Sequence, residues 1–136
     1  MKSIVTMLTC LLMVWSVATA DTVTDLRPTI REAAAANGVD PVLMEAIIRH
    51  ESAHATSSAA RKKNNLAGIM GRKGQRRYES KEECVHDLGR LLGKYKAKGR
   101  VTVAQIGRVY CQSGSPWANY INSYMKQIKA GKWGDL

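Results

Sequence analysis

Apolar residues recur every three or four positions over most of the chain, the spacing of helices that bury one face in a core. Residues that cap helix starts, among them Asp40, Ser80 and Thr102, stand just before these apolar runs. The predicted helices cover residues 26–36, 40–52, 80 to about 99, 102 to about 110, and 115–130, with one more short helix after Ser57.

Residues 66–79 break this helical pattern. Glycines at positions 68, 71 and 74 predict irregular backbone, with a small hairpin within residues 69–78. The predicted fold class is therefore mainly α, with a short irregular or β insertion around residues 66–79. A cleft is expected between this insertion and the helices.

Residues 1–20 have the layout of a secretory signal peptide, with Lys2, an apolar run, and Ala18-Thr19-Ala20 before Asp21. The apolar run is about 14 residues long and falls short of the ~20 that span a bilayer, so no stable membrane span is expected. We expect cleavage after position 20, a single domain over residues 21–136, and a secreted or periplasmic protein.

The charge of the chain is strongly positive, with 21 basic and 11 acidic side chains and a formal charge of +10. Outside the cytoplasm such a charge favours anionic cell-wall polymer, with an envelope protein as a further partner, and not nucleic acid. No cofactor is expected. Cys84 and Cys111 remain after cleavage, and they permit one disulfide or two buried thiols.

The five residues from His50 to His54 can be interpreted in two ways. Two histidines one helical turn apart beside a glutamate make up a zinc-protease motif, which would need a third ligand such as Glu79 or Glu83. The longer motif with a third histidine is absent, and no metal is expected. Alternatively, Glu51 is the general acid of a glycan-cleaving enzyme, since a carboxylic acid beside a buried stripe keeps its proton more readily than an exposed one.

Four segments resemble a known family along nearly all of residues 21–136. Residues 40–52 resemble the catalytic helix of glycoside hydrolase family 73 glucosaminidases, and residues 64–69 resemble the N-N-L-F-G-I motif of that family. Residues 78–84 resemble its Y-x-S-x-x-E-S segment, and residues 110–120 resemble its closing Y-x-x-x-P-x-Y region. Two departures stand out. Ala53-His54-Ala55 occupies the place of the family's G-W-G, and Ala67 that of its Phe.

The resemblance implies a two-lobed lysozyme-like fold that cleaves the glycan strands of peptidoglycan, with Glu51 as general acid. A second carboxylate would be Glu79; otherwise the acetamido group or the 6-hydroxyl of the sugar would act. Three alternatives stay open: a lytic transglycosylase or muramidase on the same fold, a zinc metalloprotease, and a non-catalytic domain that binds the wall. The implied substrate-binding residues are Asn64, Asn65, Tyr78, Tyr110, Trp117 and Tyr120.

Overall fold

This computed structural model describes residues 21–111 and 115–136, and of Ser115 it describes the backbone alone. These residues contain seven helices and one two-stranded sheet. The predicted signal peptide lies outside the described residues, and so it stays a prediction. In chain order the elements are α1 (Thr22–Asp25), α2 (Arg27–Asn37), α3 (Pro41–Ser52), α4 (Ser58–Lys63), β1 (Met70–Gly71), β2 (Gly74–Gln75), α5 (Lys81–Ala97), α6 (Val103–Tyr110) and α7 (Ser115–Lys129).

The predicted fold class is confirmed: the protein is mainly helical, with one antiparallel hairpin inside the predicted insertion. Five of the helices begin behind the predicted caps or at the predicted positions, and Ser57 caps the short α4 by accepting a bond from the backbone of Ala60. One element was not predicted. The four-residue α1 is too short to show a helical period, and it begins where Asp21 accepts a bond from the backbone of Thr24 at 2.7 Å.

The core is built around α3, which packs against α2 and α7, while α5 covers α2 and α6 covers α7. Every residue of α3 from Val42 to Arg49 is buried. A helix that is buried all round has neighbours on all sides, and so α3 is held rigidly up to its last turn. That last turn contains Glu51.

Two buried arginines join α2 and α3 through a single carboxylate. Glu45 accepts bonds from Arg27 at 2.7 and 3.0 Å and from Arg49 at 3.0 Å, and Arg49 also reaches Asp21 at 2.9 Å. Because each buried charge has a partner of opposite sign, the desolvation cost of this network is offset.

The end of the chain packs on the same two arginines. Arg27 donates to the carbonyls of Gly134 and Asp135 at 3.3 and 3.2 Å. The guanidinium of Arg49 lies 3.9 Å above the ring of Trp133, a distance at which cation–π attraction is significant. Residues 21–27 and 133–135 therefore meet at one place in the fold.

The disulfide between Cys84 and Cys111 that the sequence permitted is not formed in the structure. Cys84 lies in the first turn of α5, and its sulfur accepts a bond from the backbone of Leu66 at 3.3 Å. Burial raises the pKa of the Cys84 thiol to about 11, so this thiol stays protonated. It therefore serves as a packing residue beneath the loop that follows α4.

Within residues 21–111 and 115–136, none of the helices has both the length and the apolar character that crossing a bilayer requires.

Candidate active site

Glu51 is half-buried in the last turn of α3, and two neighbours fix its carboxylate. The indole Nε1–H of Trp117, on α7, donates to Oε1 at 2.7 Å. The second oxygen, Oε2, lies against Gly68, where a Cβ atom would stand only 3.1 Å away. The carboxylate thus sits between α7 and the loop after α4.

The backbone after Glu51 leaves the helix at once. Ala53, His54 and Ala55 all have positive φ values, of 49°, 57° and 67°. Such values are unfavourable for residues with a Cβ atom, and three in succession need compensation. Ser52 supplies it, because its buried hydroxyl donates to the carbonyl of Ile48 at 2.5 Å and accepts from the backbone of Ala55 at 2.9 Å. The chain therefore turns away and leaves the Glu51 side open.

The zinc interpretation is wrong for this geometry. It needs His50 and His54 one turn apart on a continuing helix, but α3 ends at Ser52. His54 instead turns Nδ1 to Nη1 of Arg49 at 3.1 Å, and His50 stacks on Tyr120 with ring centroids 5.2 Å apart. Among the described residues, no three His, Cys, Asp or Glu side chains are grouped as metal ligands would be.

The resemblance implies that Asn65 binds substrate, but the structure buries this side chain beneath the loop that follows α4. Its side chain is 1% exposed and uses its full hydrogen-bonding capacity. The amide donates to the carbonyls of Ile69 and Arg76, both at 2.9 Å, and accepts from the backbone of Ala67 and Ile69, both at 3.2 Å. Asn65 therefore shapes the loop that presents Gly68 and leaves no group to bind a sugar.

Asn64 and Tyr78 also form hydrogen bonds within the protein. Asn64 ends α4 with a φ of 52°, donates to the carbonyl of Tyr78 at 3.2 Å and accepts from Lys81 at 3.0 Å. The buried Tyr78 donates its hydroxyl to Asp87 at 2.5 Å. Both side chains thus form hydrogen bonds within the protein, and a contact of either with substrate stays a prediction.

Trp117 has a role other than the implied sugar contact. It is 3% exposed, and its ring packs on Tyr110 with centroids 5.2 Å apart. With its N–H on Glu51, it positions the carboxylate from inside the core.

Of the implied binding residues, Tyr110 lines the space beside Gly68, and Tyr120 is exposed on α7. Tyr110 donates its hydroxyl to the carbonyl of Ala67. Burial, together with the charge of Glu51, raises the pKa of Tyr110 well above its usual value, so the phenol stays a donor. Tyr120 is 56% exposed on top of His50, one turn along α7 from Trp117.

A groove lies beside Gly68, the residue against which Oε2 of Glu51 is placed. Its first part, of about 270 Å³, is bounded by residues of the Gly68 loop, α5 and α6, and it adjoins a hollow of about 190 Å³. The two parts share Ile69, Met70 and Leu91. The acid in the wall of this hollow is Asp87, whereas Glu79, the predicted second carboxylate, is exposed at the start of α5 outside both parts.

Asp87 is held by three donors. Besides Tyr78, it pairs with Arg76 at 2.9 Å and Arg90 at 3.3 Å. Partial burial raises the pKa of Asp87, but the bond from Tyr78 and the two guanidinium charges outweigh this and hold the pKa below its usual value. Sequence reasoning missed this residue and Gly68. A signal existed for Asp87, since it lies three residues after the buried Cys84 and one before the buried Leu88, at the edge of the apolar face of α5.

A glutamate fixed at the end of a buried helix, beside an irregular loop and a groove, is an arrangement that suits glycan cleavage on a mainly helical, lysozyme-like fold. The comparison with protein families agrees. The model of the glucosaminidase family, described as mannosyl-glycoprotein endo-beta-N-acetylglucosaminidase, matches residues 27–130. The chain therefore belongs to this family and is a glycoside hydrolase, which confirms the resemblance found in the sequence. No curated protein and no solved structure matches the chain.

Proposed function

We propose that the protein is an endo-β-N-acetylglucosaminidase that cleaves the glycan strands of peptidoglycan, with Glu51 as the general acid. The observation that carries the proposal is the fixed carboxylate of Glu51 between Trp117 and Gly68, the second of which lines the groove. The net positive charge of the chain supports an anionic polymer as substrate. Secretion to the periplasm or the cell exterior is part of the same proposal.

The bond from Trp117 distinguishes the two oxygens of Glu51. An indole N–H can only donate, so Oε1 accepts, and Oε2 is the oxygen left to give a proton to the substrate. Oε2 is the oxygen beside Gly68, at the groove. Since Gly68 has no side chain, a glycosidic oxygen can approach this proton without obstruction.

The second catalytic group is proposed to come from the substrate. Glu79 lies outside the groove, and the oxygens of Asp87 are occupied by Tyr78, Arg76 and Arg90. As Oε2 of Glu51 gives its proton to the leaving oxygen, the bond from C1 to that oxygen breaks and the acetamido oxygen bonds to C1. Glu51, now ionised, then takes a proton from the water that opens this intermediate.

Digestion of purified peptidoglycan, followed by mass spectrometry of the new ends, tests the proposal. We expect reducing N-acetylglucosamine ends, equal activity with and without EDTA, and a loss of about 10³-fold or more in Glu51→Gln. Glu79→Gln is the matched control and should stay within about twofold of wild type.

Other products would assign other reactions. Anhydro-muramic ends would mean a lytic transglycosylase, and reducing muramic ends a muramidase. An absence of new ends, or full activity in Glu51→Gln, would show that the catalytic proposal is wrong. An inactive Glu79→Gln that folds normally would restore the second carboxylate to Glu79.

A further inference from the structure

The hollow next to the groove beside Gly68 is rich in cations. Arg76, Arg90 and Lys94 line it, together with the single carboxylate of Asp87. Three positive charges against one negative leave this hollow with a net charge of +2. In a glycan strand that carries its peptides, the carboxyl of each muramic acid is bound in an amide and the sugars carry no charge, so the hollow fits a charged group attached to the glycan.

The two arginines are held in place and still have donors to offer. The Asp87 carboxylate binds Nη1 of Arg76 at 2.9 Å and Nη2 of Arg90 at 3.3 Å, and it is itself fixed by the hydroxyl of Tyr78. The side chains of Arg76 and Arg90 are 49% and 57% exposed. Each guanidinium has five N–H donors, so most of them remain open to a ligand. Such exposed ion pairs add little stability, but here they fix the direction of two guanidinium groups.

We propose that this hollow binds a carboxylate of the peptide attached to the glycan strand, so that the enzyme selects strands that still carry their peptides. This inference rests on the proposed function and names the part of the substrate that the groove would recognise. Its basis is that the hollow adjoins the part of the groove beside Gly68. Ile69, Met70 and Leu91 line both, and Gly68 lies against Oε2 of Glu51, so a substrate that extends along both passes the carboxylate and the cations.

Two substrates that differ only in the peptide test this selection. One is soluble glycan with its peptides intact. The other is the same glycan after an amidase has removed them and the carboxylate that this frees on each muramic acid has been converted to a neutral amide. For the wild type we expect a higher kcat/KM on the peptide-bearing glycan, by about tenfold, which is the order of effect of a charge-assisted hydrogen bond. In the double variant Arg76→Gln/Arg90→Gln, the ratio of the two kcat/KM values should fall close to one, through a higher KM on the peptide-bearing substrate.

The matched control is Arg61→Gln/Arg77→Gln, which removes the same charge from two exposed arginines outside the groove. Each of these donates to a backbone carbonyl, Arg61 to that of Thr56 and Arg77 to that of Lys62. This control should keep the wild-type ratio. Lys94→Gln, which leaves the Asp87 ion pairs in place, should lower the ratio by an intermediate factor and guards against a local folding defect in the double variant.

Several results would overturn the inference: equal cleavage of both substrates by the wild type, or the same loss of preference in both double variants. Should the wild type cleave neither substrate, the proposed hydrolysis fails, and calorimetric binding of a disaccharide-peptide, with its carboxylates as such or amidated, still decides the inference. Weaker binding of the Arg76/Arg90 variant to phosphatidylglycerol vesicles, without competition by the disaccharide-peptide, would assign the cations to a lipid surface instead.

Discussion

At the scale of single residues, the carboxylate of Glu51 depends on Trp117 for its orientation. The indole N–H holds Oε1 at 2.7 Å, and in the proposed reaction this leaves Oε2 for the substrate. Without that bond the carboxylate is able to rotate and to exchange the roles of its two oxygens. Orientation of a catalytic group contributes strongly to rate, and so the effect of losing it should appear in kcat.

Trp117→Phe keeps an aromatic ring against Tyr110 but removes the N–H. We expect kcat to fall about tenfold to a hundredfold with little change in KM, since the orientation of Glu51 is lost while the groove is kept. Initial rates on soluble glycan over a range of substrate concentrations measure this.

Trp133→Phe is the matched control for that substitution. It also removes an indole, but from a ring that packs on Arg49 and His54. It should lower stability by about 1–2 kcal/mol without a specific effect on kcat. Equal losses of kcat in both variants would argue against a positioning role for Trp117.

Asn65 is a single side chain that determines the shape of a whole loop. Its four hydrogen bonds connect the turn that presents Gly68 to the base of the hairpin at Arg76. The aligned pair Met70 and Gln75 continues that connection into the sheet. A two-stranded hairpin is marginal by itself, so we infer that Asn65 carries much of its order.

Asn65→Ala would remove one hydrogen bond from each of four backbone groups, of which the Ile69 carbonyl keeps its bond from the backbone of Arg76. We expect a loss of about 2–4 kcal/mol in the free energy of unfolding, measured by urea titration, and faster amide exchange at Ile69 and Arg76. Asn122→Ala, at an exposed position on α7, should change stability by less than about 0.5 kcal/mol. A cost below about 1 kcal/mol for Asn65→Ala would mean that water replaces the side chain.

The elements themselves were predictable because their signals are local. The caps at Asp40, Ser80 and Thr102 and the three-to-four spacing behind them do not depend on distant parts of the chain. The direction of a side chain in an irregular loop does depend on them. No period shows whether an asparagine such as Asn65 faces the solvent or the backbone, and so a structural residue was interpreted as a ligand.

The zinc motif failed for a related reason. Whether His54 continues the helix depends on the hydroxyl of Ser52 and on the cation of Arg49, which fix the left-handed turn after Glu51. Neither interaction is visible in a five-residue motif. Glu51 was found because its place, at the end of a long buried stripe, follows from the helical period alone.

For the whole molecule, His54 connects stability to pH. Burial and the charge of Arg49 lower the pKa of His54, with Lys132 adding to this and Asp21 opposing it. A lowered folded-state pKa means that the unfolded chain takes up the proton first as the pH falls. The contribution of His54 to the free energy of unfolding is therefore complete above the unfolded-state pKa of about 6.5. It is lost as the pH falls from there through the folded-state pKa.

We expect the melting temperature of the wild type to decrease as the pH is lowered from about 7 towards 5, and His54→Asn to show a clearly smaller decrease. Asn accepts left-handed backbone and keeps an oxygen that can receive the bond from Arg49. Asp21 and Asp87, whose pKa values are also lowered, act at more acidic pH, below about 4. Parallel curves for the two proteins over the upper range would contradict this assignment.

Residues 21–27 meet residues 133–135 at Arg27 and Arg49. The order of the segments along the chain can therefore be changed while the fold is kept. A linker of about six residues reaches at most ~20 Å, enough to join neighbouring ends. A circular permutant joined in this way, and opened between the exposed Gly99 and its neighbour Arg100, should fold and melt within roughly 10 °C of the parent. By the same reasoning, this enzyme could be inserted into a surface loop of a host protein, with both connections leaving from one side.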